Sequence, residues 1–307
     1  MQNREFPVNM KTILVIAGIS VVFWAAVVVV IVGRRIIRME GILNMAITEK
    51  LKIEKTDSIG TLILNQANKR NAISFEMWRD FPKAMAKLEA DPDVRVIVLT
   101  GAGDKAFSAG ADISEFGEYR STPKQRALYS EYEHATTSSL RNSPKFVIAR
   151  IDGVCVGGGA EVALDCDIQI ASDRSRFAIT PARIGLGYPV ADVSRLVQNL
   201  GPRNAKEILA SGRYYTAEEA KAIGWINLVV PADELDEFVK DYAARIAQNA
   251  PLSVAAAKIT VNELIKNPDD RDIAACDAAV EACYLSNDYV EGQKAFGEKR
   301  PPEFKGQ

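Results

Sequence analysis

The feature that most restricts this chain is an alternation of short apolar runs with helix-period segments through its middle. Val94-Arg95-Val96-Ile97-Val98-Leu99 and Phe146-Val147-Ile148-Ala149-Arg150-Ile151 are rich in branched residues, and Ile168-Gln169-Ile170 repeats the theme. Runs this short, bounded by turn residues, read as strands. Residues 75–90 and 125–140 instead carry apolar side chains at helical spacing. The first of these helices follows a Ser74 cap and ends at Asp91-Pro92-Asp93. Strand followed by helix, repeated, predicts an α/β fold. An earlier strand pair is expected at residues 51–54 and 61–64, with residues 57–60 as the turn region between them.

With 307 residues, 48% of them apolar and 25% charged, the chain can bury one full core and a small appendage. After Asp233 the spacing becomes helical almost to the end, with alanine-rich faces at 254–257 and 273–282. Residues 46–232 are therefore expected to form the core and residues 233–307 a carboxyl-terminal helical subdomain. A formal net charge of −2 gives no chain-wide attraction to polyanions, so nucleic acid is not expected as a partner. Cys155, Cys166, Cys276 and Cys283 have neither zinc-site nor disulfide spacing.

Ahead of the core, a flank of residues 1–12 leads into an apolar segment, residues 13–33. Residues 13–32 carry no charge and as a helix would measure about 30 Å, the thickness of a bilayer's hydrocarbon. Arg34, Arg35 and Arg38 follow it, so the segment predicts a membrane anchor with the rest of the chain in the cytoplasm. Residues 34–45 read as a linker. Translation from Met39 or Met45 would instead leave a soluble protein.

Two glycine-containing stretches carry the chemistry. Ala106-Phe107-Ser108-Ala109-Gly110-Ala111-Asp112-Ile113 follows the strand ending at Leu99, and its small residues admit a ligand close to the backbone. Asp152-Gly153-Val154-Cys155-Val156-Gly157-Gly158-Gly159-Ala160-Glu161 places three glycines between a strand and a helix, where free N–H groups and the positive helix end favour negative charge. Either stretch alone would fit a structural turn or a phosphate site. Together they can aim one N–H each at a single oxygen, as a developing thioester enolate requires. Glu161 lies three residues past Gly158, in the opening turn of that helix, and is the candidate for proton transfer.

The order of these elements resembles that of the crotonase (enoyl-CoA hydratase/isomerase) superfamily. Residues 65–72 (Asn-Gln-Ala-Asn-Lys-Arg-Asn-Ala), Asp165-Cys166-Asp167-Ile168 and the tail 291–300 are similar to family segments too, and the likeness runs from about Met45 to the end. It implies a core of ββα superhelical turns and acyl-CoA substrates, with no metal and no cofactor beyond the coenzyme A of the substrate. It also implies a homotrimer or hexamer whose carboxyl-terminal helices help close the CoA site. By the same resemblance Ala111 and Gly158 supply the oxyanion N–H groups and Glu161 the catalytic acid. Ala109, Gly110, Asp112, Ile113 and Gly157 would line the substrate site, and Phe296 and Lys299 would contact CoA.

One departure stands out. Hydratases of the family carry a second glutamate directly after a loop proline, and here Ala182 follows Pro181. Tyr188, Asp192 and Arg183 are the auxiliary candidates near that loop. Tyr188 sits in a stretch resembling methylmalonyl-CoA decarboxylase, Asp192 reads as a helix N-cap or a pocket acid, and Arg183 could neutralise a substrate carboxylate. His134, the single histidine, reads as a surface or packing residue. The leading expectation is an enoyl-CoA hydratase-like lyase. Alternatives are a methylmalonyl-CoA decarboxylase-like enzyme and a membrane-tethered protein that binds acyl-CoA without turning it over.

Overall fold

The computed structural model describes residues 46–307. The described chain begins with an antiparallel hairpin, β1 (Leu51–Thr56) and β2 (Ile59–Leu64), in which Thr56 pairs with Ile59. Its turn is the two residues Asp57 and Ser58, tighter than the four expected, with Asp57 at φ 52°. Gly60 belongs to the strand because a Cβ there would lie 2.6 Å from Leu88 Cδ2 and 3.0 Å from Val94 Cγ1. Packing, and not the turn, demands that glycine.

In α1 (Phe75–Ala90) the Ser74 hydroxyl accepts from Met77 N at 3.4 Å, and Met77, Trp78, Phe81, Ala84, Met85 and Leu88 form the buried stripe. Pro82 lies inside this helix and leaves the Trp78 carbonyl without its usual donor. The Thr136 hydroxyl donates to that carbonyl at 3.0 Å, so the defect becomes a tie to the neighbouring helix.

Three similar passes follow. The first is β3 (Val96–Gly101), β4 (Ala106–Ser108), α2 (Phe116–Tyr119) and α3 (Pro123–Arg141). The second is β5 (Phe146–Ile151), β6 (Val154–Val156) and α4 (Gly158–Leu164), and the third β7 (Ile168–Ser172), β8 (Arg176–Ala178) and α5 (Val190–Ser211). Each pass puts one strand into a larger sheet, a three-residue strand into a smaller one, and then a helix, which is the expected ββα repeat. The span of α5 is broken at Gly201 (φ 75°, ψ 163°), directly before Pro202.

The chain ends with β9 (Tyr215–Thr216), α6 (Ala217–Ala222), β10 (Leu228–Val230), α7 (Leu235–Ala247), α8 (Pro251–Leu264), α9 (Ile273–Tyr284) and α10 (Asn287–Glu298). The larger sheet has the order β1-β2-β3-β5-β7-β10, parallel from β2 onward, and the smaller has β4-β6-β8-β9, parallel as far as β8. One apolar cluster includes Leu62, Leu99, Phe107, Phe177 and Trp225 together with Phe81 of α1, Ala160 of α4 and Leu196 of α5. A second joins Val96, Val98, Ile148 and Ile170 of the larger sheet to Val239, Ala243 and Ala247 of α7. Central parallel strands covered on both faces account for the unbroken apolar runs in the sequence. The helix α7, expected in the carboxyl-terminal subdomain, is thus a layer of the core. The helix α8 is tied in as well, through Lys258 Nζ to Asp167 Oδ2 at 2.8 Å.

Among the described residues no helix is long and apolar enough to cross a membrane. The flank 1–12, the apolar segment 13–33 and the linker up to residue 45 lie outside the described residues.

Candidate active site

The smaller sheet builds the site. Because β4 and β6 are parallel neighbours, the chain leaves both at the same end, where open α/β sheets form ligand crevices. After β4 comes Ala109-Gly110-Ala111, and after β6 come Gly157 and the first turn of α4. A Cβ on Gly110 would lie 2.9 Å from Val156 O and 3.5 Å from Gly158 N, and one on Gly158 would lie 3.5 Å from Ala111 N and 3.0 Å from Trp78 Cζ2. The amides of Ala111 and Gly158 therefore sit close together, an approach that residues lacking side chains permit. Neither N–H has a protein acceptor among the described residues. Gly158 opens a helix, whose first N–H groups lack intrahelical partners, while at the Ile73–Ala111 bridge the bonds are made by Gly110 O and Asp112 N.

The first loop is braced from behind. Asn71, fully buried and at φ 54°, donates through Nδ2 to Ala106 O at 2.7 Å and Ala102 O at 3.0 Å, and its Oδ1 accepts from Gln66 N at 3.1 Å. Ser108 Oγ donates to Asn71 O at 2.8 Å and accepts from Gly110 N at 3.2 Å. Ala109 N donates to Arg70 O, and Ile73 N to Gly110 O. Residues 65–72, recognised in the sequence only by likeness, hold the backbone that presents Ala111.

The two loops open on a cavity of about 570 Å³. Ala109, Gly110, Ala111, Ile113, Gly157 and Gly158 line it, with Glu161, Tyr188 and Asp192 and, from the α2–α3 side, Arg120 and Glu133. A larger hollow of about 770 Å³ lies against α10 and the carboxyl-terminal tail and shares none of these residues. The free amides, not cavity size, mark the chemical site.

Glu161 is 7% exposed, and its carboxyl group is held well above the usual carboxylate range. Burial is the main cause; the charges of Asp192 and Glu133 add to it and outweigh the attraction of Arg195. Asp192 is the third residue of α5, with Pro189 at the cap, so the N-cap reading is corrected. Its carboxylate bonds Arg195 one turn along and borders the cavity. Arg195 also lies 3.2 Å from Asp165, whose carboxyl burial pushes up to about 6 against the pull of Arg195 and Arg141.

Glu133 was not anticipated. Arg120 donates to its Oε1 at 2.5 Å, yet burial raises the carboxyl to about 7 despite that cation. The Arg120 guanidinium is itself fixed, lying 3.8 Å from the Tyr129 ring centre and 4.3 Å from that of Phe116. A signal for Glu133 did exist: on α3 it falls in helical register with the buried Tyr129, Thr136, Thr137 and Leu140. A carboxylate on the inward stripe of a helix calls for a reason.

Other sequence candidates lie elsewhere. Asp112 is not among the cavity residues; it caps the short turn at Ile113–Glu115 and pairs with Lys69 Nζ at 2.6 Å, because Ser114 N and Lys69 offer its carboxylate partners on the protein side. Arg183 also misses the cavity, packing over Gly212 with its guanidinium 5.8 Å from the Tyr214 ring. Phe296 is 87% exposed on α10 and lines a separate hollow with Cys283, Tyr289 and Phe304, while Lys299 is exposed at the end of that helix. Ala182 is exposed in the turn Pro181–Ile184, and His134 is exposed on α3.

Residues 54–307 match the family described as enoyl-CoA hydratase/isomerase. The chain is 31% identical over 251 residues to a short-chain-enoyl-CoA hydratase of Clostridium acetobutylicum, covering 82% of this chain and 95% of the relative. It is also 31% identical over 253 residues to methylmalonyl-CoA decarboxylase of Escherichia coli, covering 81% and 95%. A solved enoyl-CoA hydratase/carnithine racemase from Magnetospirillum magneticum aligns with TM-score 0.79 at 33% identity, covering 85% of this chain and 97% of that one. The chain belongs to the enoyl-CoA hydratase/isomerase family, and its α/β fold is the crotonase-like one.

Proposed function

We propose that the cavity receives the acyl end of a 2-enoyl-CoA and adds water across its double bond. The observation that carries this reading is a pair of unpaired amides, Ala111 and Gly158, opening on the same cavity as a buried carboxyl group, Glu161. As the water oxygen bonds to the β-carbon, the double-bond electrons move toward the thioester oxygen. Two N–H donors there each stabilise the resulting enolate by about 3 to 4 kcal/mol. Glu161, whose burial and acidic neighbours favour its protonated form, gives a proton to the α-carbon. Ala109, Gly110, Ile113 and Gly157 shape the space around the thioester. The reaction calls for no cofactor beyond the coenzyme A of the substrate.

The test is turnover of crotonyl-CoA. Glu161→Ala should lower it by about a thousandfold while CoA binding stays nearly intact, and unchanged turnover would refute the assignment. A second reading, loss of carbon dioxide from a malonyl-type thioester, is favoured by the place of Tyr188 in the cavity lining and by the likeness to a methylmalonyl-CoA decarboxylase. Carbon dioxide release from methylmalonyl-CoA, without hydration of crotonyl-CoA, would establish that alternative.

We further propose that copies associate through the carboxyl-terminal helices as a homotrimer or hexamer. Exposed Ile265, Ile273, Tyr284, Leu285, Val290 and Phe296 support this. Phe296 and Lys299, outside the cavity of their own chain, would then meet CoA only in the assembled protein.

A further inference from the structure

Hydration needs a group to take the proton of the attacking water, and Ala182 has none to offer. Two carboxylates other than Glu161 line the cavity, Asp192 and Glu133. Each gives one oxygen to an arginine and keeps the other without a hydrogen bond among the described residues, so it is the arginines that set them apart. Asp192 is bound by Arg195, a buried guanidinium that also lies beside Asp165. Glu133 uses Oε1 for Arg120, while its Oε2 accepts no hydrogen bond among the described residues. Arg120 is pinned on two rings, so it orients Glu133 without closing off the second oxygen.

We infer that Glu133 is the second catalytic acid–base group of this site, the one that deprotonates the attacking water. This rests on the hydration reading above. In the step assigned to it, the water O–H bond breaks with its proton passing to Glu133 Oε2, while the water oxygen bonds to the β-carbon. The double-bond electrons move onto the thioester oxygen between the Ala111 and Gly158 amides. The enolate then collapses and takes a proton from Glu161 at the α-carbon. One water has been added, Glu133 ends protonated and Glu161 ionised, and passage of one proton from the first to the second restores the site. The charged groups acting on Glu133 are Arg120 from the segment after α2, Asp192 and Arg195 from α5, and Glu161 from α4, with the Tyr129 phenol on its own helix. Their balance suits the roles. Glu133, at about 7, is half ionised at neutral pH and can accept a proton, whereas the buried Glu161, whose surroundings favour its protonated form, can donate.

The experiment compares crotonyl-CoA hydration by the wild type, Glu133→Gln, Asp192→Asn and Arg120→Met across the neutral pH range, with thermal unfolding of each. In Glu133→Gln, kcat should fall about a hundredfold or more with KM little changed, and the acidic limb of the kcat/KM profile should vanish. Asp192→Asn should keep that limb but move it to lower pH, since the negative charge that disfavours the ionised Glu133 is gone. Arg120→Met should move it to higher pH, since the cation that favours the ionised carboxylate is gone; a purely structural role for Glu133 would not produce that shift. A Glu133→Gln protein that folds and keeps turnover within threefold of wild type, with the limb in place, overturns the assignment. If Glu133→Gln does not fold, the Arg120→Met profile decides, and an unmoved limb overturns it. A wild type inert toward crotonyl-CoA fails the hydration reading and takes this inference with it, an outcome distinct from an active enzyme indifferent to Glu133.

Discussion

The two walls of the cavity are built on opposite principles. Around Ala111 and Gly158 the groups facing it are backbone amides, uncharged, with the Ala111 loop held by buried neighbours such as Asn71 and Ser108. Around Glu161, Asp192 and Glu133 the groups facing it are carboxylates, and the charge states of Glu161 and Glu133 depend on burial and on neighbouring charges, Arg120 and Arg195 among them. On the amide wall a side chain matters for the space it leaves. On the acid wall it matters for the proton it holds. The amide wall should therefore fail by losing shape, and the acid wall by changing its response to pH.

The largest effect should come from Asn71→Ala. It would strip two carbonyls and one N–H of a buried partner and leave alanine at φ 54°, costing about 3 kcal/mol or more of stability. Denaturant unfolding measures this, and a loss below a tenth of that value would mean the brace is dispensable. Next is Gly158→Ala, whose Cβ would meet Trp78 Cζ2 at 3.0 Å. Displacing the amide by a few tenths of an ångström should lower kcat about tenfold. Trp78→Phe, which removes the obstructing ring atoms, should return part of that loss, and an equal deficit in the double variant would show that the contact is not the cause.

The smallest effect separates the walls most cleanly. Glu133 has a folded value near 7 against an ordinary carboxyl value of 4.5. Its raised value means that stability is fully present below 4.5 and is lost as pH rises through about 7. Glu133→Gln should thus raise the melting temperature on the alkaline side of neutrality relative to the acidic side, by an amount worth about 1 kcal/mol once solvent screening is allowed for. Asn71→Ala should show no such dependence on pH. A Glu133→Gln melting difference that is flat with pH would blur the distinction.

Much of the fold was legible because periodicity reports burial. The runs 94–99 and 146–151 are central parallel strands covered on both sides, and Ser74 caps the helix expected from it. The three-residue strands β4, β6 and β8 were not legible, since so short a strand has no period and two of them lie within stretches read as glycine loops. In the site, Gly110, Ala111, Gly158 and Glu161 could be named from the sequence because they follow one another within two loops. Glu133 offered only its register on the inward stripe of α3, and nothing in the linear order ties it to Glu161, 28 residues later on a different helix.

By itself, the order of residues determined the alternating strands and helices, the two small-residue loops and the acid placed one turn after the glycines. These are local choices of spacing, capping and backbone freedom. Only the tertiary structure decided that Arg183 and Asp112 turn to other partners, that Asp192 faces the cavity in the grip of Arg195, and that Glu133 joins Glu161 there. The reason is physical: a carboxylate's charge and reach depend on burial and on neighbours supplied by distant segments, and linear spacing carries no record of them.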